Sequence, residues 1–297
     1  MITIAIPTYN RGPILVETIE RLLDLEPRAE AIVIADQTPE HRRDVHARLD
    51  EWHRTGAIQW LRLEQPSIPR AMNDALLAAK TPLVLFFDDD IIPDRGIVQG
   101  HVEAHRDGAI WAVAGQVLQP GEEPREVEQR GDALQFRFDA TRGAFVNNVM
   151  AGNLSVKRAR ALAIGGFDEN FVGAAYRFET DFAIRVAAAG GKVWFEPRAS
   201  LRHLQLATGG LRSYGDHRRA PVPAHSAGDY YFALHHVRGF WRYAARRLAQ
   251  NVVTRYLLTH PWNIPPKIVG ELRGLLLARR LHRKGRALRV VPPENPT

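Results

Sequence analysis

The amino-terminal part of the chain alternates short β-branched runs with helical periodicity, and few folds accommodate that alternation. Ile2–Ile6, Ala31–Ala35, Ile58–Leu63 and Leu83–Phe87 read as strands. Three helical segments separate them. Leu15, Ile19 and Leu22 recur at helical spacing behind Pro13, and Ala71, Ala75 and Ala79 do so between Pro69 and Lys80. A β-α-β-α-β-α-β order with near-continuously apolar strands is the pattern of a parallel sheet covered on both faces. Ligands of such a sheet bind at the carboxyl ends of its strands. Polar residues placed directly after a strand are therefore the first candidates for function.

Farther along, Ala109–Val117 reads as a fifth strand, and the charged, Gly- and Pro-punctuated stretch from Pro120 to Gly143 has no assignable period. A helix is expected from Glu179 to Ala189, closed by Gly190 and Gly191, followed by a strand from Lys192 to Glu196 stopped by Pro197. One catalytic unit is expected over residues 1–226, with a helical extension over 227–297 broken around Pro261, Pro265 and Pro266. Of the net charge of +7, residues 229–297 carry 13 Lys and Arg against 3 Asp and Glu, whereas residues 1–228 are slightly acidic. Basicity thus belongs to the carboxyl-terminal segment, where Tyr230, Tyr231, Phe232, Phe240, Trp241 and Tyr243 are interleaved with Arg238, Arg242, Arg246 and Arg247. This mixture reads either as a helical core with a solvated basic face or as a surface for an anionic membrane. No nucleic-acid recognition motif accompanies the charge, so nucleic acid is not an expected partner. With no cysteine, any metal must sit on carboxylate, carbonyl or imidazole, which points to Mg2+ or Mn2+. No targeting or spanning segment is evident, and a cytoplasmic location is expected.

Three post-strand clusters stand out. Pro7-Thr8-Tyr9-Asn10-Arg11 sets an aromatic ring, hydroxyls and a cation at the sheet edge, and Asp36-Gln37-Thr38 sets a carboxylate there. Each alone is equally well ordinary turn chemistry. Phe86-Phe87-Asp88-Asp89-Asp90 is stronger, because three successive carboxylates after an apolar strand repel one another unless solvated, paired or bound to a cation. Arg70 and Asn73 share a helix face and would reach a phosphate if that helix flanks the crevice. Glu179 and Asp181 lie in a first helical turn, where negative charge is favourable for the helix alone. His203, as a lone histidine, has an ordinary structural reading beside that of a metal ligand. Neither a G-x-G-x-x-G after the first strand nor a G-x-x-x-x-G-K-[ST] is present, which sets aside dinucleotide-binding dehydrogenases and P-loop NTPases.

Taken in order, Pro7 to Arg11, Asp36, Asp88 to Asp90, Ala151-Gly152-Asn153-Leu154-Ser155-Val156-Lys157-Arg158 and Phe178-Glu179-Thr180-Asp181 resemble the motifs of family 2 inverting glycosyltransferases. The resemblance runs from Ile2 to Gly210. It implies an α/β GT-A (nucleotide-diphospho-sugar transferase) fold: a Rossmann-like, mainly parallel sheet flanked by helices, with a nucleotide-sugar-binding half over 1–117 and an acceptor and base half over 118–226. It further implies that Pro7, Thr8, Tyr9, Arg11, Asp36, Arg70, Asn73, Asp88 and Asp89 line the donor, with a UDP-sugar favoured. Asp88, Asp90 and His203 are the implied ligands of Mn2+ or Mg2+, and Gly152 and Asn153 border the sugar and acceptor side together with Gly209 and Gly210. The family commonly reads Glu-Asp-x-Asp at its base motif, whereas this chain has Phe178 and Glu179 in the first two places. Glu179 is therefore the expected general base, supported by Asp181. A saccharide or lipid-linked acceptor at the inner face of a cell membrane is the expected partner. The alternatives are a sugar-phosphate nucleotidyltransferase, whose Gly-rich basic loop after the first strand is missing here, and a catalytically silent, membrane-associated binding protein.

Overall fold

Parallel pairing begins with the first strand. In the computed structural model, which describes residues 1–126, 136–206, 208–210 and 221–289, β1 (Ile2–Thr8) lies between β2 (Ala31–Asp36) and β4 (Leu83–Phe87) and runs parallel to both. β3 (Gln59–Arg62) extends the sheet beyond β2. Helices α1 (Pro13–Leu23), α2 (Arg43–Thr55) and α3 (Ile68–Ala78) make the crossovers. The chain moves outward from β1 to β3 and then returns to the opposite side of β1 as β4, so the switch point of the sheet lies between β1 and β4. Thr8–Arg11 and Asp88–Asp90 both emerge there, at carboxyl ends, where the crevice of an open α/β sheet opens.

Beyond β4 the sheet continues through β8 (Asn153–Lys157), β6 (Ile110–Leu118), β9 (Lys192–His203) and the short β5 (Ile91–Pro93), with β7 (Ala144–Phe145) also paired to β9. β8 is antiparallel to both of its neighbours. Both faces are covered, as the apolar strands require. Ile2, Ile4 and Ile6 of β1 with Leu85 and Phe87 of β4 face a core that includes Leu15 and Ile19 of α1 and Leu49 of α2. Ala5, Val84 and Phe86 face the other core, with Ala71 and Ala75 of α3. This alternation is the period of two expected of strands. Helices α4 (Ile97–Ala104), α5 (Arg158–Ala163) and α6 (Phe178–Ala188) complete the layers.

One expected chain break is corrected and a second is met. Pro197 does not stop the strand: β9 runs on to His203, because the register slips there from Gly115 opposite Glu196 to Gln116 opposite Ser200. Such an irregularity accommodates a residue that cannot donate to the ladder. The extension matters, since it carries His203 to the crevice. The helical extension breaks where expected, between Thr259 and Ile264, and Pro265 and Pro266 lie in the first turn of the helix that follows, α10 (Ile264–Arg283), where a missing N–H costs nothing. Part of the unassigned Pro120–Gly143 stretch, residues 127–135, lies outside the described residues; its flanks pack onto the sheet, with Phe136 and Ala140 buried.

The carboxyl-terminal segment forms α7 (Ala227–His236), α8 (Phe240–Val252), α9 (Arg255–Thr259) and α10. Tyr230, Tyr231 and Phe232 of α7 are buried in the same core as Phe167, Phe178 and Phe182. Trp241, Val253, Leu258, Trp262, Leu272 and Leu276 are exposed. No helix among the described residues is long and apolar enough to cross a membrane.

Candidate active site

At the switch point β4 ends and releases three aspartates in different directions. Asp89 turns inward, accepting the Thr8 hydroxyl at 2.6 Å and facing Arg11 Nε at 3.1 Å. Burial pushes the Asp89 carboxyl up to about 7, against the opposing pull of Arg11 and Thr8. Asp90 is also buried, yet it stays below the usual carboxylate range. Burial raises it, and the His203 hydrogen bond, the Leu206 N–H at 3.1 Å and the Arg11 charge outweigh burial. Asp88 is the open one, its side chain 44% exposed. Arg11 also reaches Asp90 at 3.4 Å and donates to the Thr208 carbonyl at 2.6 Å, so one guanidinium serves two of the three carboxylates and ties the Thr208–Gly210 segment to the end of β1. Gly209 fits there because a Cβ would lie 2.4 Å from the Asn10 carbonyl oxygen.

Asp88, Asp90 and His203 each offer a ligand atom within 4.8 Å of the others, a group fit for a hard divalent cation. Hydrogen bonding supports this. Gln119 Oε1 lies 2.9 Å from His203 Nδ1 and also accepts the Gln205 amide at 2.7 Å, so it holds a proton on Nδ1 and leaves Nε2 as the nitrogen that donates to Asp90 when protonated and offers its lone pair to a cation when not. That Nε2 lies 3.0 Å from Asp90 Oδ1, and two acceptors so close repel unless a proton or a cation lies between them. Gly152 completes the cradle, since a Cβ there would sit 2.3 Å from Asp88 Oδ2.

Glu179 reaches the same place from α6. Its Oε1 accepts the Ala151 N–H at 3.3 Å, so the turn from Met150 to Asn153 touches Glu179 on one side and Asp88 on the other. Burial raises Glu179 to about 7; the Ala151 N–H pulls it down and the Asp88 charge pushes it up. The turn before it holds Ala175 and Arg177 at φ of 50° and 75°, a left-handed conformation that non-glycine residues seldom adopt.

Several residues expected at the donor or acceptor are placed elsewhere or are already engaged. Asp36 is fully buried: Oδ2 accepts from His41 at 2.7 Å and from the Trp60 indole at 2.8 Å, and Oδ1 accepts the Thr38 N–H at 2.9 Å. Burial raises its pKa, but these bonds, led by that of His41, bring it below the ordinary value. Arg70 is exposed beside Gln65. Asn73 clamps the Phe167 backbone through both its amide atoms, at 2.8 Å each, and so joins α3 to the loop before α6. Asn153 is spent on His101 and on the carbonyls of Gln116 and Ala199. Asp181 accepts from His236, Arg185 and Arg286, and these hydrogen bonds with the two guanidinium charges hold it far below the carboxylate range in spite of burial. Pro7 and Tyr9 flank Thr8 at the crevice, and the Tyr9 carbonyl accepts the Gly210 N–H at 2.8 Å.

Sequence reasoning missed Gln119, His41, Trp60, His236 and Arg286. Gln119 directly follows β6, so the post-strand rule that found the aspartates had the signal for it. His41, five residues beyond Asp36 in the segment after β2, lay within reach of the same rule, whereas Trp60, His236 and Arg286 come from other elements and have no such signal.

The chain matches the family model described as glycosyl transferase family 2 over residues 3–180. No curated protein sequence matches it significantly. Among similar solved structures is the mannosyltransferase PcManGT from Pyrobaculum calidifontis in complex with GDP-Man and Mn2+, at 17% identity and a TM-score of 0.57, covering 96% of this chain and 79% of that one. Another is GalNAc-T7 with UDP, GalNAc and Mn2+, at 13% identity and 0.57, covering 81% and 52%. A third is S. aureus TarS 1-349 in complex with UDP-GlcNAc, at 14% identity and 0.54, covering 73% and 62%. At such identities the likeness establishes the GT-A fold, and the family match, which takes in more than half of the sequence, from β1 to the first turn of α6, establishes that the chain belongs to glycosyl transferase family 2.

Proposed function

We propose that the chain moves a sugar from a nucleoside-diphosphate donor to an acceptor hydroxyl in one inverting step, with Glu179 as general base. The observation that carries the reading is the shared turn: Gly152 lies against Asp88 and Ala151 donates to Glu179, so a carboxylate base stands beside the candidate cation site. In that step the Glu179 carboxylate takes the acceptor proton as the hydroxyl oxygen attacks the anomeric carbon. The bond from that carbon to the diphosphate breaks, and the nucleoside diphosphate leaves with the electron pair. Arg11, held at 11% side-chain exposure between Asp89 and Asp90, orients the acidic run and keeps its charge from accumulating. Asp88, Asp90 and His203 would hold a divalent ion, which when bound supplies positive charge to the departing diphosphate. Mn2+ is the first candidate, since two of the similar structures carry it, with Mg2+ second. Those structures carry GDP and UDP sugars, so both diphosphates belong in the donor screen, a UDP-sugar first.

The acceptor is a saccharide or a lipid-linked sugar at an anionic membrane surface. Supporting this, Trp241, Leu272 and Leu276 are exposed on α8 and α10, and Arg279 stacks on the Trp241 ring at 5.2 Å. Aromatic, aliphatic and cationic groups together suit a peripheral association.

Calorimetry with UDP, GDP, dTDP and CDP, each with and without Mn2+, tests the donor site. Metal-dependent binding of one diphosphate is expected, and Asp90→Asn should weaken it. Glu179→Gln should lower transfer about 10²- to 10⁴-fold with donor affinity unchanged. Transfer by that variant at the unaltered rate would remove the base assignment, and donor binding without turnover across acceptors would favour the silent binding protein.

A further inference from the structure

A cavity of about 690 Å³ lies between the Ala174–Arg177 turn and helices α7, α8 and α10, and none of the Asp88, Asp90 and His203 group lines it. Its wall carries Arg177, Arg246, Arg247 and Lys267 against one lining carboxylate, Asp229. Asp229 faces Arg177 at 3.2 Å and Arg247 at 2.5 Å. Behind the wall Glu271, 2% exposed, takes Arg247 at 2.8 Å and Lys267 at 2.9 Å. Among the described residues, then, two carboxylates pair with the largely buried Arg177, Arg247 and Lys267, and Arg246, exposed at the mouth, has no ion pair. Cations withdrawn from water with too little negative charge around them favour an anionic ligand. Guanidinium groups suit phosphate in particular, because they donate two parallel hydrogen bonds. Tyr176, 51% exposed, adds a ring on which a sugar can lie, with the Arg177 guanidinium 5.2 Å from its centre.

The cavity is coupled to the candidate base by the chain itself. Arg177 is the N-cap of α6, two residues before Glu179. Gly228 of α7 packs so closely on this turn that a Cβ would meet the Tyr176 carbonyl oxygen at 2.6 Å. A ligand held by Arg177 and Arg246 therefore lies against the segment that delivers Glu179.

We propose that this cavity binds the phosphate or diphosphate group of the acceptor, so that the acceptor is a phosphate-bearing sugar or alcohol. The proposal rests on Glu179 marking the acceptor side. The same anion is offered by a lipid-linked and by a water-soluble acceptor, and the test separates the two.

The test is calorimetric binding to the full chain in EDTA, with inorganic pyrophosphate and with dodecyl phosphate below its micellar concentration. At least one probe is expected to bind. Arg246→Glu, and independently Gln250→Glu on the same wall, should each weaken binding about tenfold or more. Melting temperature and Mn2+-dependent nucleotide binding should remain unchanged in both variants, which separates the cavity from the donor crevice. Preference for pyrophosphate supports a soluble acceptor, and preference for dodecyl phosphate a lipid-linked one. Failure of both probes to bind, or binding that survives both charge reversals, overturns the proposal. Loss of the Glu179 reading would show instead as transfer by Glu179→Gln, with the cavity measurements unaffected.

Discussion

Glu179 and His203 illustrate how a neighbour sets what a side chain can do. With its carboxyl raised to about 7, Glu179 is ionised above that pH and protonated below it. A base acts only when ionised, so kcat at saturating donor should rise with pH through about 7 and fall about tenfold per unit on the acid side. Glu179→Gln should flatten that limb in a pH–rate profile; a limb that persists in the variant would assign it to another group. Gln119 acts through His203 and touches no reacting atom. Replacing it with Ala frees the imidazole to rotate and to change tautomer. Mn2+ affinity of Gln119→Ala is expected to fall about 10- to 100-fold by titration, with the melting temperature little changed.

A single helix can carry two unrelated tasks, and α6 does so. Residues two apart on a helix do not share a face. Glu179 therefore meets Ala151 at the crevice, while Asp181 points to His236 of α7 and to Arg286. The buried Asp181 carboxylate joins α6 to the carboxyl-terminal segment, and Asp181→Asn should cost about 3 kcal/mol in urea unfolding by leaving Arg185 and Arg286 without their counter-charge. A second buried polar group joins α4 to β8. The Asn153 amide donates to two carbonyls, so its oxygen must accept from His101 Nε2. Ser155 then donates to His101 Nδ1 and accepts from His105, all at 2.8 Å. Burial lowers His101 to about 4 and His105 to about 3, so both are neutral in the fold. A histidine with a depressed folded pKa stabilises the fold above its unfolded value near 6.5, and that stability is lost as pH falls. Between pH 6.5 and about 4.5, before most carboxylates protonate, unfolding free energy should drop by on the order of 2 kcal/mol for each of the two histidines. A flat denaturation midpoint across that window would contradict the neutral pair.

Over the whole molecule, the basic carboxyl-terminal segment is built into the core. Tyr230, Tyr231 and Phe232 join the cluster that covers one face of the sheet, each worth about 2 kcal/mol of burial. Arg286 and Arg289 anchor the tail to Asp181, Asp168, Asp74 and Glu169. A chain ending at residue 226 should therefore lose cooperative unfolding by circular dichroism, although the family match ends at residue 180. The sequence by itself determined the alternation of strands and helices through Phe87, the parallel character of that half of the sheet and the emergence of Asp88 to Asp90 at its carboxyl edge. Those features follow from local periodicity, whereas the return of β4 to the far side of β1, away from β3, is a matter of tertiary packing. Only the tertiary structure decided which carboxylates are available. His203 meets Asp90 from 113 positions away, and it does so because β9 continues past Pro197. Asp181 and Asn153, legible as candidates by spacing, are taken by partners that the fold brings from elsewhere, because the direction of a side chain and its long-range neighbours are properties of packing.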